Sequence, residues 1–142
     1  MLVEKSCGAI VCLTKDSELL YLLLHYTSGH WDFVKGNVEV NETEKETVVR
    51  ELREETGITD ACFVEEFREK IEYFYRRKQG ETVHKEVLFY LMRTNTETIT
   101  LSFEHVNFIW LNYAQAIKKL TFKNAKVLLK KADIILNKNS GD

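Results

Sequence analysis

The chain has 142 residues, of which 44% are hydrophobic and 30% charged, and its formal net charge is -2. That length suits one sizeable core and is too short for two ordinary domains, so residues 1–142 read as a single domain. The near-balanced charge leaves no basic footprint, which argues against extended nucleic acid as a partner but allows a small phosphate-bearing ligand.

In chain order, Ser6 to Leu13 and Leu19 to Tyr26 are apolar, β-rich runs separated by the turn-like Thr14-Lys15-Asp16-Ser17, which predicts a hairpin. Glu4 and Lys5 precede the first run, which is too short for the apolar region of a signal peptide, so this segment reads as a strand. A short stretch around Trp31 to Val34 leads into a helix over Asn41 to Thr56. Two long strands follow, Cys62 to Arg77 and Val83 to Arg93, joined at Lys78-Gln79-Gly80. Val106 to Leu111 reads as another strand, and Ala114 to Leu120 and Asn124 to Leu136 as helices by their apolar spacing. This order predicts an α/β (α+β) fold, a mixed sheet packed between helices, with Lys138 to Asp142 as a disordered tail.

No apolar stretch approaches the roughly 20 residues needed to span a bilayer. Cys7, Cys12 and Cys62 are odd in number and lack metal-ligand spacing, so they read as reduced, buried thiols in a cytoplasmic protein. The chain contains no proline, where average usage near 5% would put about seven.

The helix over Asn41 to Thr56 carries the chemistry. Asn41 followed by Glu44 resembles a capping box, and Gly57 supplies a stop. At about 100° per residue, Val48, Val49, Leu52 and Thr56 share a side, Glu51 and Glu55 lie one turn apart along its edge, and Glu54 extends the acidic flank. Adjoining carboxylates repel, and a divalent cation offsets that repulsion. Ligands that are all oxygen favour Mg2+ or Mn2+ over zinc. Taken on the glutamates alone, a solvated charged face explains them as well.

The wider spacing separates these readings. From Gly36 to Ile58 the segment GNVEVNETEKETVVRELREETGI sets Gly36, Glu42, Arg50, Glu51, Leu52, Glu54, Glu55, Gly57 and Ile58 in a pattern whose chance occurrence at a given start is roughly a few in ten billion. It resembles the Nudix box with every fixed position filled. The resemblance implies hydrolases that cleave a pyrophosphate linkage attached to a nucleoside or related group, with a divalent metal. It implies metal ligation by Glu51, Glu54 and Glu55, and an ion pair between Glu42 and Arg50 that braces a loop against the helix. Gly36 reads as a point where the backbone bends close to the helix end.

Outside the box, Leu22-Leu23-Leu24, His30-Trp31, Ser102-Phe103-Glu104-His105 and Trp110 resemble the pattern of asymmetric diadenosine tetraphosphate hydrolases of animal and archaeal type. Val34 and Val40 stand where such relatives often carry proline. The resemblance implies Glu104 as a further metal ligand or general base, making Glu51, Glu54 and Glu104 the catalytic candidates. It also implies His30, Lys35, Tyr73, Lys85 and Phe122 as substrate-binding residues, with Tyr73 and Phe122 meeting the nucleotide and the lysines its polyphosphate. The implied reaction is in-line attack of water on a dinucleoside polyphosphate, giving AMP and ATP. The implied partner is that small molecule or a related nucleotide, and no protein partner is indicated. Two alternatives stand beside this: a pyrophosphohydrolase for a nucleotide sugar, a modified nucleoside triphosphate or an RNA 5′ end, and a noncatalytic nucleotide-sensing module.

Overall fold

The computed structural model describes residues 2–140. Strands β1 (Leu2–Lys15) and β2 (Glu18–Tyr26) form the hairpin, turned by Asp16 and Ser17 at φ 52° and 66°. Paired left-handed residues match the twist of the flanking strands, which is why a two-residue turn suffices. Short β3 (Trp31–Asp32) and β4 (Val34–Asn37) lead to helix α1 (Glu44–Thr56). Then come β5 (Cys62–Arg76), β6 (Thr82–Arg93), β7 (His105–Leu111), α2 (Tyr113–Lys119) and α3 (Lys123–Ser140).

The sheet runs β3-β2-β1-β6-β5, with β4 added to β1 and β7 to β2. It is mixed: β1 lies parallel to β6 from Leu2 beside Val83 to Cys12 beside Arg93, and the other pairs are antiparallel. Strand β1 pairs with β2 only from Cys12 to Lys15, and earlier, from Ser6 to Ala9, it takes β4 instead. The sheet therefore forks between β1 and β2, and the fork holds the segment that leads into α1.

Two-residue alternation sorts the core. Cys7, Ala9 and Val11 of β1, Leu22 and Leu24 of β2, and Leu88, Tyr90 and Met92 of β6 pack with Val48 and Leu52 of α1. The intervening Ile10, Cys12, Tyr21, Leu23, Val87, Phe89 and Leu91 pack with Ala116 and Leu120 and with the α3 residues Leu128, Leu129 and Ala132. Helices thus cover both faces, as the order of elements predicts.

Local details differ from the sequence reading. The N-cap of α1 is Thr43, two residues after Asn41, and its hydroxyl accepts from Glu46 N–H while the Glu46 side chain accepts from Thr43 N–H. Asn41 takes a left-handed turn, φ 65°, just ahead of it. Val49 is 45% exposed, so the apolar stripe of α1 narrows to Val48, Leu52 and Thr56. Cys7 and Cys12 are buried, but Cys62 is exposed. The expected tail also changes: α3 continues through Lys138 to Ser140, because no helix breaker intervenes before Gly141, which lies with Asp142 outside the described residues. Among the described residues no helix is long and apolar enough to cross a membrane.

Candidate active site

Helix α1 ends on Gly57, whose left-handed backbone (φ 78°) lets its N–H donate to Arg53 O at 2.9 Å. Its last two turns are held against β4 by Arg50. The Arg50 guanidinium grips Glu42 at two points (2.6 and 3.0 Å), donates to Asn37 O at 2.9 Å, and reaches Glu51 at 2.7 Å and Glu54 at 3.2 Å. Those bonds hold the Glu42 carboxyl at about 2, below the usual carboxylate range, with Arg50 the largest cause and Thr47 and the Glu39 N–H next. Gly36 lies in β4, paired with Cys7, and does not bend at the helix end. A side chain there would overlap the Glu51 carboxylate, so the glycine makes room for a functional group.

Glu51 is half-buried and its carboxyl is pushed up to about 8, first by burial and then by the adjoining Glu55, against the pull of Arg50. Glu55 is 2% exposed, and burial with the charges of Glu104 and Glu54 raises it to about 7. Neither Glu55 oxygen makes an aligned hydrogen bond, although Oε1 lies 3.1 Å from His105 Nε2 and the Glu51 carboxyl adjoins. The exposed Glu104 arrives from the loop before β7, which is anchored by Thr27 N–H donating to Glu104 O at 3.2 Å. Ligand atoms of Glu55, Glu104 and His105 all lie within 4.8 Å of one another.

Of the metal-ligand candidates read in the sequence, Glu55 and Glu104 converge here. Glu51 and Glu54 are engaged by Arg50 and stand outside the converging group, and His105 takes a place in it. Helical periodicity gives the bearing of a side chain from the axis, but not which carboxylates a neighbouring guanidinium captures.

A cavity of about 390 Å³, in the size range of small-molecule sites, lies on the α3 side of the sheet and is linked to this cluster through the ring contacts of His105 with Tyr26, Tyr26 with His30 and His30 with Phe122. Lys35, Tyr73 and Phe122 line it over a floor that includes Ile71, Phe89 and Leu128, so three of the five substrate-binding candidates meet in one place. Tyr73 and Phe122 are 40% and 48% exposed, open to a ligand face. Lys35 is steered by the buried Asp32 at 3.4 Å, which also lines the cavity. His30 adjoins through its ring, 5.2 Å from Phe122, with Ser28 Oγ 2.9 Å from Nδ1, and burial lowers its pKa. Lys85 stands apart: it sits opposite Tyr73 in the ladder, but its ammonium lies 3.1 Å from Asn37 Oδ1 and 3.6 Å from Glu4. That engagement keeps it out of the cavity lining.

Asp32, Tyr26 and His105 escaped the sequence reading. Tyr26 stacks on His30 at 4.6 Å and meets His105 edge-on at 4.5 Å, while its hydroxyl donates to Phe33 O at 2.5 Å. The signal for His105 was its place directly after Glu104, read only as part of a motif.

The residues present suit a hard divalent cation. A buried carboxylate whose oxygens make no aligned hydrogen bond is costly unless it is protonated or paired, and Glu104 beside it adds a second carboxylate donor for a divalent cation.

Comparison with known proteins agrees with this geometry. The NUDIX domain model matches residues 4–131. The chain is 35% identical over 138 residues to the asymmetrical bis(5′-nucleosyl)-tetraphosphatase of Mus musculus, covering 88% of this chain and 90% of that one. It is 31% identical to the Caenorhabditis elegans enzyme of the same name, covering 95% and 98%. The crystal structure of a C. elegans Ap4A hydrolase binary complex superposes with a TM-score of 0.82 at 30% identity, over 94% of this chain and 97% of that one. The match of the NUDIX domain model over most of the chain, with relatives of the same fold and a box helix whose Glu55 converges with the loop Glu104, identifies the chain as a member of the Nudix family.

Proposed function

We propose that this chain, acting as a single cytoplasmic domain, hydrolyses diadenosine tetraphosphate asymmetrically to AMP and ATP with Mg2+ or Mn2+. The observation that carries the reading is the buried Glu55 beside Glu104, joined through the rings of His105, Tyr26 and His30 to Phe122, which with Lys35 and Tyr73 lines a cavity. The likeness to asymmetrical tetraphosphatases over most of both chains supports this substrate.

Glu55 and Glu104 would hold the cation, with Glu51 and Glu54 joining once released in part from Arg50. When bound, the cation supplies Lewis acidity, neutralising phosphate charge and lowering the pKa of water. The protein positions the rest. Phe122 and Tyr73 flank the adenine, Tyr73 can donate to phosphate, and Lys35 and His30 meet the polyphosphate. Water attacks a phosphorus in line, its oxygen joining that phosphorus as the bridging P–O bond breaks. A carboxylate takes the proton, for which Glu104, Glu51 and Glu54 are the candidates, and the bridging oxygen leaves on the other product. Lys85, opposite Tyr73 in the ladder but held against Asn37 and Glu4, would have to leave those partners to meet the polyphosphate.

The test is product analysis with magnesium. Equimolar AMP and ATP from diadenosine tetraphosphate, with capped RNA and nucleotide sugars much slower, is expected. Two ADP per substrate, or faster cleavage of a nucleotide sugar or RNA cap, would replace the substrate. No turnover of any of them with magnesium or manganese would leave a nucleotide-sensing module as the better reading.

A further inference from the structure

We infer that His105 is a positioning residue for the cation site, orienting the Glu55 carboxylate so that one oxygen faces its imidazole and the other is free for metal. The inference rests on the proposed cation at Glu55. His105 is 6% exposed and its Nε2 stands 3.1 Å from Glu55 Oε1, yet neither atom makes an aligned hydrogen bond, so both are buried without one. An imidazole and a carboxylate left in this state lose solvation without a compensating bond.

The surroundings hold the ring in place. Ser102 Oγ lies 3.2 Å from His105 Nδ1 and accepts from Glu104 N–H at 3.4 Å; in the tautomer this inference requires, the hydroxyl proton donates to Nδ1. With Nδ1 accepting, the ring proton sits on Nε2 and faces Glu55. Tyr26 packs against the ring edge-on at 4.5 Å, and its own hydroxyl is tied to Phe33 O, so the imidazole is braced from the side. Glu104 is the next residue in the chain and His105 N–H donates to Ser102 O at 3.3 Å, so one tight turn delivers both the loop carboxylate and the group that orients the helix carboxylate. A cation drawing Glu55 toward Glu104 leaves Oε1 facing the Nε2–H. Partners of this kind, one bond removed from the metal, set ligand orientation, and their loss costs about 10–100-fold in metal affinity.

The experiment is Mn2+ binding, followed by the loss of the free-ion electron paramagnetic resonance signal, with activity against Mg2+ concentration in parallel. His105→Leu is expected to weaken Mn2+ binding about 10–100-fold and to raise the Mg2+ needed for half-maximal rate by the same factor. The nucleotide KM at saturating Mg2+ should stay near wild type. His105→Gln, which keeps an N–H donor, is expected to recover most of the affinity. Circular dichroism guards against misfolding, and Ser102→Ala, which frees the tautomer without emptying the core, should give a smaller loss in the same direction. Unchanged Mn2+ affinity in folded His105→Leu overturns the inference. So does nitrogen modulation from a directly coordinated imidazole in the wild-type Mn2+ spectrum, which would make His105 a ligand. Absence of Mn2+ binding by the wild-type chain would instead overturn the metal reading beneath it.

Discussion

Arg50→Lys tests whether the frame of the site hangs on one guanidinium. Arg50 donates to Glu42 twice, to Glu51, to Glu54 and to Asn37 O, and its side chain is only 15% exposed. A lysine ammonium is a point charge with three donors and no planar fork, so it can keep one carboxylate at good geometry and reach a second loosely. At least two charge-assisted bonds are lost, each worth about 1.5–3 kcal/mol when not replaced by water. Partial solvation of Glu54, 49% exposed, and of Glu39 discounts the sum. The expected destabilisation is about 3 kcal/mol, read as a lower urea midpoint at unchanged slope. Because Gly36 allows the Glu51 carboxylate into β4 and Arg50 holds it there, turnover at saturating magnesium should fall as well. A loss below about 1 kcal/mol with full turnover would refute the argument that one fork aligns loop, helix and glutamates.

Glu55→Gln and Glu51→Gln are each expected to lower turnover by several orders of magnitude at saturating magnesium. Glu55→Gln should leave the metal-free protein as stable or more so, since it removes a buried carboxylate that makes no aligned hydrogen bond, and thermal unfolding in a chelator checks this. Glu44, bonded to Arg68, Tyr90 and Lys5, has its carboxyl lowered from 4.5 to about 2, with Arg68 the largest cause after which burial opposes. A depressed carboxylate stabilises above its unfolded value and loses that contribution as pH falls. Between pH 4.5 and 2 the wild type should therefore lose about 1–2 kcal/mol that Glu44→Gln does not, after allowance for the exposure of Arg68 and Lys5. Denaturation at stepped pH measures the difference, and parallel curves would exclude it. Phe122→Leu should raise the KM for diadenosine tetraphosphate about 5–10-fold with kcat nearly unchanged, as loss of a stacking face worth about 1 kcal/mol requires; a kcat effect alone would assign Phe122 to the core.

Local chemistry was legible in the chain. The hairpin, the α1 stop at Gly57, the alternating strands and the box glutamates depend on neighbours within a few residues, which periodicity and spacing report directly. The cap at Thr43 was missed because Asn41-x-x-Glu44 and Thr43-x-x-Glu46 are both plausible caps, and the left-handed Asn41 chose between them. The convergence of Lys35, Tyr73 and Phe122 on one cavity came from separate stretches of chain, and family likeness pointed to it where periodicity had no reach.

What the sequence by itself determined is a reaction class: glutamates on one helix flank, bounded by Gly36 and Gly57, at a spacing that matches a pyrophosphate-cleaving box. Only the tertiary structure decided what each of them meets. It set Arg50 on Glu51 and Glu54, buried Glu55 without an aligned hydrogen bond, brought Glu104 and His105 to it, and placed Lys85 against Asn37 and Glu4. The physical reason is that carboxylate availability depends on burial and on charges from distant segments, and those are set by how β1 and β2 part and what the fork between them admits.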